Sequence, residues 1–99
     1  MNRLEAIDKL KRQAQAIKAM GATSLYLFGS IAQDEAARGS DLDLFIDYDP
    51  TAKIPNMFRL MQIEEKISQA LGIPATITTR NALHPLMKES IERDAIRVI

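Results

Sequence analysis

A chain of 99 residues, 46% apolar and 26% charged, is long enough for one modest core and has the composition of a globular protein. Thirteen basic and thirteen acidic side chains cancel, which argues against dedicated duplex nucleic-acid binding. There is no cysteine to build a disulfide scaffold or a thiolate metal site, no run nears the roughly 20 apolar residues of a membrane span, and the N-terminus lacks a signal-peptide apolar region, so one domain over residues 1–99, resident in the cytoplasm, is expected.

Residues 3–20 set Leu4, Ile7, Leu10, Ala14, Ile17 and Met20 at spacings of three and four, the stripe of an amphipathic helix stopped by Gly21. Arg3, Lys9, Lys11, Arg12 and Lys18 give that helix a basic, solvated face. The run "SLYLF", residues 24–28, predicts a buried strand, with Tyr26 in the core, ended by Gly29-Ser30. Ser30 is placed to cap a short helix reaching Ala37, and "RGS", residues 38–40, to turn the chain. "DLDLFID", residues 41–47, alternates as a strand and stops at Asp49-Pro50; Asp34, Glu35, Asp41, Asp43, Asp47 and Asp49 make this region acidic.

A third helix is predicted over residues 56–71, with Met57, Leu60, Met61, Ile67 and Leu71 inward and Gly72 as its stop. "PATITT", residues 74–79, is β-branched and predicts a strand. Asn81 is a possible cap for a last helix carrying Leu83, Leu86, Met87 and Ile91, and "IRVI" a short extended end. The single histidine, His84, precedes Pro85 at a helix start and reads as a surface or capping residue. Met57, Met61 and Met87 read as core or interface, and Tyr48 as a residue able to stack on a base. The alternation predicts an α+β (mixed α/β) fold, a small sheet layered with helices.

The chemistry concentrates in residues 27–46. Residues two apart on a strand share a face, so Asp41 and Asp43 project together about 7 Å apart. Two such carboxylates repel, and a hard cation relieves them, because Mg²⁺ takes one or two carboxylates and completes its shell with substrate phosphates. Upstream, a strand that ends in Gly29-Ser30 and opens a helix leaves backbone N–H groups free for an anion. Gly29 admits close approach to the backbone; Ser30 Oγ can cap the helix or donate to a phosphate. Arg80, after the third strand, is within reach of a phosphate or is an ordinary surface arginine.

The stretch "FGSIAQDEAARGSDLDLFI" resembles the Gly-Ser-x10-Asp-x-Asp signature of the minimal nucleotidyltransferases of the polymerase-β-like superfamily. "GIPATITTRNALHPLMKESIERDAIRVI" is similar to the family's closing segment, so the resemblance spans essentially the whole chain. It implies a mixed sheet with helices on one side, and a nucleoside triphosphate, expected to be ATP, held by Gly29 and Ser30. It implies Mg²⁺ on Asp41 and Asp43, which form the catalytic pair for attack of an acceptor hydroxyl on the α-phosphorus. Relatives of this size often serve as antitoxins beside a helical HEPN-type toxin, some by moving AMP onto a toxin tyrosine.

Two departures accompany the match. Active relatives carry a third carboxylate on the later strand, where alignment puts Thr76, and no Asp or Glu lies between Ile67 and Met87. Asp47 shares the parity of Asp41 and Asp43 but stands about 13 Å beyond Asp43, too far to substitute. Ala32-Gln33-Asp34 replaces the usual Ala-Arg-Gly, so a basic side chain near the phosphates is lost. The expectations are therefore two: an Mg²⁺-dependent transferase acting on a partner, or an antitoxin that neutralises its partner by binding alone.

Overall fold

The computed structural model describes residues 1–34, 41–48 and 57–99. The predicted turn at 38–40, the helical residues 35–37, the Asp49-Pro50 break and the first residue of the predicted third helix lie outside them. The elements, in chain order, are α1 (Arg3–Arg12), α2 (Ala14–Ala19), β1 (Ala22–Phe28), α3 (Gly29–Ala32), β2 (Leu42–Tyr48), α4 (Met57–Leu71), β3 (Ala75–Thr79), a 3-10 turn (Arg80–Ala82), α5 (Pro85–Asp94) and β4 (Ile96–Arg97).

The four strands form one mixed sheet in the order β3-β2-β1-β4. β1 runs antiparallel to β2 and β4, while β2 and β3 are parallel, joined through α4. Each strand splits its side chains between two faces. Leu25 and Leu27 of β1, Leu42, Leu44 and Ile46 of β2 and Ile77 of β3 turn to the helices, where Ala6, Leu10, Ile17, Ile31, Ile63, Ile67 and Leu71 meet them. Burying a leucine or isoleucine fully contributes about 1.5–3 kcal/mol, so this layer is the chief source of stability. The fold is the predicted α+β sheet with helices.

The long N-terminal stripe is interrupted. α1 ends at Arg12 and α2 begins at Ala14, with Gln13 between them in a non-helical conformation. Within α1 the buried row is Ala6 and Leu10, one turn apart, so Leu4, predicted inward, lies on the opposite side and is 75% exposed. Asn2 caps α1, its side chain accepting from the Glu5 N–H at 2.8 Å. In α4 the buried set is Ile63, Ile67 and Leu71, a strict i, i+4 row, and Met61 falls on the opposite side, exposed.

β3 is a sheet edge, and α4 covers it. Ser68 Oγ accepts from the Ala75 N–H at 3.0 Å, and Glu64 Oε1 accepts from the Ile77 N–H at 2.7 Å. Glu64 and Ser68 are one helical turn apart, so their side chains match alternate amides of the strand. β3 is thereby held in register beside β2.

Candidate active site

The sheet's other face carries the chemistry. Cross-strand pairing sets Ser24 against Asp47, Tyr26 against Phe45 and Phe28 against Asp43 on β1 and β2, and Thr76 against Asp43 on β2 and β3. These residues share the face that the helical layer does not cover.

At the end of β1 the chain turns sharply into α3. Gly29 adopts φ +78, a left-handed conformation that suits glycine. A β-carbon there would run into the Asp43 carboxylate, with Cγ at 3.1 Å and Cβ at 3.2 Å. Gly29 and Asp43, predicted together from sequence, are thus in direct apposition, and the glycine is required twice, for its dihedral and for its missing side chain. Ser30 is not the N-cap expected from the sequence. Phe28 holds that position, without a side-chain cap bond, because the helix begins two residues earlier, at Gly29 itself. α3 ends at Ala32, before Ala37, and Asp34 has φ 60.

Asp41 is exposed just before β2, and Asp43 is partly buried within it. Burial raises the Asp43 pKa above its ordinary value of 3.8, and the charge of nearby Asp41 raises it further. Asp43 thus bears a local excess of negative charge that a cation would offset. Among the described residues, no three Asp, Glu, His or Cys side chains are gathered to hold a metal. The donor set is therefore an oxygen pair, which fits an ion that draws its remaining ligands from phosphates and water better than it fits an all-protein cage.

A cleft of about 330 Å³ opens beside Asp43 and Gly29; Asp41 and Ser30 do not line it. Phe28, Gly29, Gln33 and Asp43 form one side. Met87, Ser90, Ile91 and Asp94, all on α5, form the other. Thr76 stands at the position expected from the sequence, next to Asp43 in register, and is exposed with a neutral hydroxyl. Asp47 is committed elsewhere, its carboxylate bound to Arg80 at 2.8 and 2.9 Å and to the Ser24 hydroxyl at 2.9 Å.

Arg80 is partly exposed, and its guanidinium already has protein partners. It pairs with Asp47 and with Glu92 at 2.9 Å, and its guanidinium lies 4.8 Å from the Tyr26 ring centroid and 5.0 Å from that of Phe45. Tyr26 is stacked on Phe45, centroids 4.8 Å apart, beneath it rather than in the helical core. His84 caps α5, Nδ1 accepting from the Leu86 N–H at 3.2 Å, with Pro85 in the first turn. Leu86 and Met87, which the spacing places on an apolar stripe, are 88% and 56% exposed, because α5 buries no side chain.

Sequence reasoning missed the α5 wall. Ser90 and Asp94 carry no spacing relation to Asp43, and they lie on a helix rather than on the neighbouring strand. The available signal was the acid preceding "AIRVI", which becomes meaningful only once β4 is known to return beside β1.

Residues 7–98 match the model of the nucleotidyltransferase domain. A Methanocaldococcus jannaschii relative, a candidate protein adenylyltransferase, is 33% identical over 99% of this chain and 100% of its own length. A second from the same organism, also a candidate protein adenylyltransferase, is 30% identical over 95% of each chain. The solved structure of a candidate minimal nucleotidyltransferase superposes with a TM-score of 0.75 at 26% identity, covering 97% of this chain and 95% of that one. A toxin–antitoxin structure with AMP-PNP shares the fold, with a TM-score of 0.73 at 16% identity over 94% of this chain and 72% of that chain. The chain belongs to the nucleotidyltransferase domain family. Among the described residues, no helix is long and apolar enough to cross a membrane.

Proposed function

We propose that this protein transfers a nucleoside monophosphate, most simply AMP from ATP, to a hydroxyl of a partner protein, in the setting of a toxin–antitoxin pair. The observation that carries the reading is the apposition of Gly29 and Asp43 at the mouth of a cleft. The backbone at Gly29 and the Ser30 hydroxyl would receive the triphosphate. Asp41 and Asp43 would hold Mg²⁺, which supplies charge neutralisation at the phosphates when bound. The chain's own residues then orient the α-phosphorus toward an acceptor entering past α5. A bond forms between the acceptor oxygen and the α-phosphorus, the bond to the β-phosphate bridge breaks, and pyrophosphate leaves with the hydroxyl proton released to solvent.

The partner assignment is supported by the relative named protein adenylyltransferase MntA from Thermococcus cleftensis, 24% identical over 79% of this chain, and by the toxin–antitoxin structures of the same fold. Residence in the cytoplasm, where ATP is available, belongs to the same reading, as does one domain over residues 1–99.

The test is incubation with α-phosphate-labelled ATP, Mg²⁺ and the product of the adjacent gene. Label on the partner with wild type, and none with Asp43→Asn, is the expected result; no transfer by the wild type with Mg²⁺ or Mn²⁺ refutes it. A second reading is favoured by Thr76, whose neutral hydroxyl stands in register with Asp43 where active relatives place an acid. In that reading the protein neutralises its partner by binding alone, and neutralisation survives Asp41→Asn/Asp43→Asn.

A further inference from the structure

α5 brings Met87, Ser90, Ile91 and Asp94 to the cleft, yet it buries none of its own residues. A helix without core anchors takes its position from its ends and its polar ties. Its C-terminal end continues through Ala95 into β4, a two-residue strand pairing with Tyr26 and Leu27 of β1. Along its length, Glu92 ties it to the sheet through Arg80.

Arg80 is held rigidly. Nε and Nη2 donate to the two oxygens of Asp47, which also accepts from the buried Ser24. Nη1 is left for Glu92. The guanidinium plane rests over Tyr26 and Phe45, and Phe45 in turn meets Phe28, centroids 5.7 Å apart. Phe28 lines the cleft. One side chain therefore reaches both sides of the cleft, the floor through Phe45 and Phe28, the wall through Glu92.

We propose that Arg80 is a positioning residue: by fixing Glu92 to the Asp47 anchor, it sets the distance between α5 and the Gly29–Asp43 edge, and so the width of the nucleotide cleft. The proposal rests on the reading of that cleft as the nucleotide site. Both members of the Arg80–Glu92 pair are about a third exposed, at 28% and 33%, so salt screens the tie. The cleft is accordingly narrower at low ionic strength and wider at high.

The test uses Glu92→Gln and Arg80→Lys in the full chain. Amide exchange of residues 86–94 in the ligand-free protein reads the wall. Titration with a fluorescent ATP analogue in Mg²⁺ reads the cleft, and a KM-against-kcat split reads the reaction. Glu92→Gln is expected to keep its melting temperature within a few degrees, to speed α5 exchange about two- to fivefold, and to weaken nucleotide binding and raise KM by a similar factor at unchanged kcat. Raising NaCl should speed α5 exchange in wild type and do so less in Glu92→Gln. Glu92→Asp, which keeps the charge, should recover part of the loss. Unchanged exchange in both variants overturns the proposal, and so does faster exchange with unchanged nucleotide affinity. If the wild type binds no nucleotide, the functional reading falls separately, while the salt and variant dependence of α5 exchange still supports or overturns the tie.

Discussion

Gly29→Ala perturbs the site at its tightest point. Gly29 has φ +78, and Gly72, at the end of α4, has φ +76. Around Gly72 a β-carbon meets nothing within 4 Å, whereas at Gly29 it runs into the Asp43 side chain. The two substitutions therefore share the dihedral cost, about 1–2 kcal/mol, and differ by the collision alone. Forcing a methyl into an occupied position costs a further 1–3 kcal/mol or about that, because Asp43 sits on a central strand whose backbone is held by β1 and β3. Urea unfolding should then place Gly72→Ala about 1–2 kcal/mol below wild type and Gly29→Ala about 2–5 kcal/mol below. Adding Asp43→Gly to Gly29→Ala removes the colliding side chain and should return the collision component, a coupling of about 1–3 kcal/mol in a double-mutant cycle. Equal losses for the two alanine variants, or additivity in the cycle, would refute the reasoning. Nucleotide titration of Gly29→Ala should also show lost binding where Gly72→Ala shows none.

Three other outcomes are expected. Asp43→Asn removes a partly buried charge facing Asp41, so without divalent ions it should melt about 1–4 °C higher than wild type at pH 7; the raised pKa makes the gain shrink as pH falls through the carboxyl range, and a thermal scan series from pH 7 to 4 checks the sign. Asp47 has the opposite sign: the Arg80 hydrogen bonds, aided by Ser24, hold its pKa below 3.8, so its stabilisation is present above that value and lost as pH falls below it. Arg80→Gln should cost about 1–3 kcal/mol at pH 7 and flatten acid unfolding below pH 4, read by circular dichroism. Glu64→Ala leaves the Ile77 amide at the sheet edge without its acceptor and should cost about 1 kcal/mol in urea unfolding, while Glu64→Gln, which retains an acceptor oxygen, should cost less.

Much of this molecule was legible in order. The strands, the glycine stops and the facing of Leu42 and Leu44 away from Asp43 follow from local periodicity, which does not depend on distant partners. Pairing Gly29 with Asp43 was also within reach, since a strand-end glycine and a same-face acid sit at a recognisable spacing. The orientation of single apolar residues was less secure. Leu4 and Met61 fit the stripes on paper and face solvent, because the i, i+4 rows Ala6–Leu10 in α1 and Ile63, Ile67 and Leu71 in α4 decide which side each helix buries.

Sequence by itself determined the α+β class, the glycine turn and the placing of Asp41, Asp43 and Thr76 on or beside neighbouring strands. The turn and the two aspartates are short-range matters, dihedral freedom, side-chain parity and the spacing of one hairpin, whereas Thr76 was placed by the resemblance to the family. Tertiary structure alone decided what Arg80 does and what faces Asp43 across the cleft. Arg80, Asp47 and Glu92 are separated by 33 and 12 residues, and no local pattern relates them. Arg80 meets Asp47 because β3 runs parallel to β2 with Thr79 opposite Ile46, and Glu92 reaches Arg80 because α5 is tied through β4 to β1, which makes a wall from residues that their own helix leaves unburied.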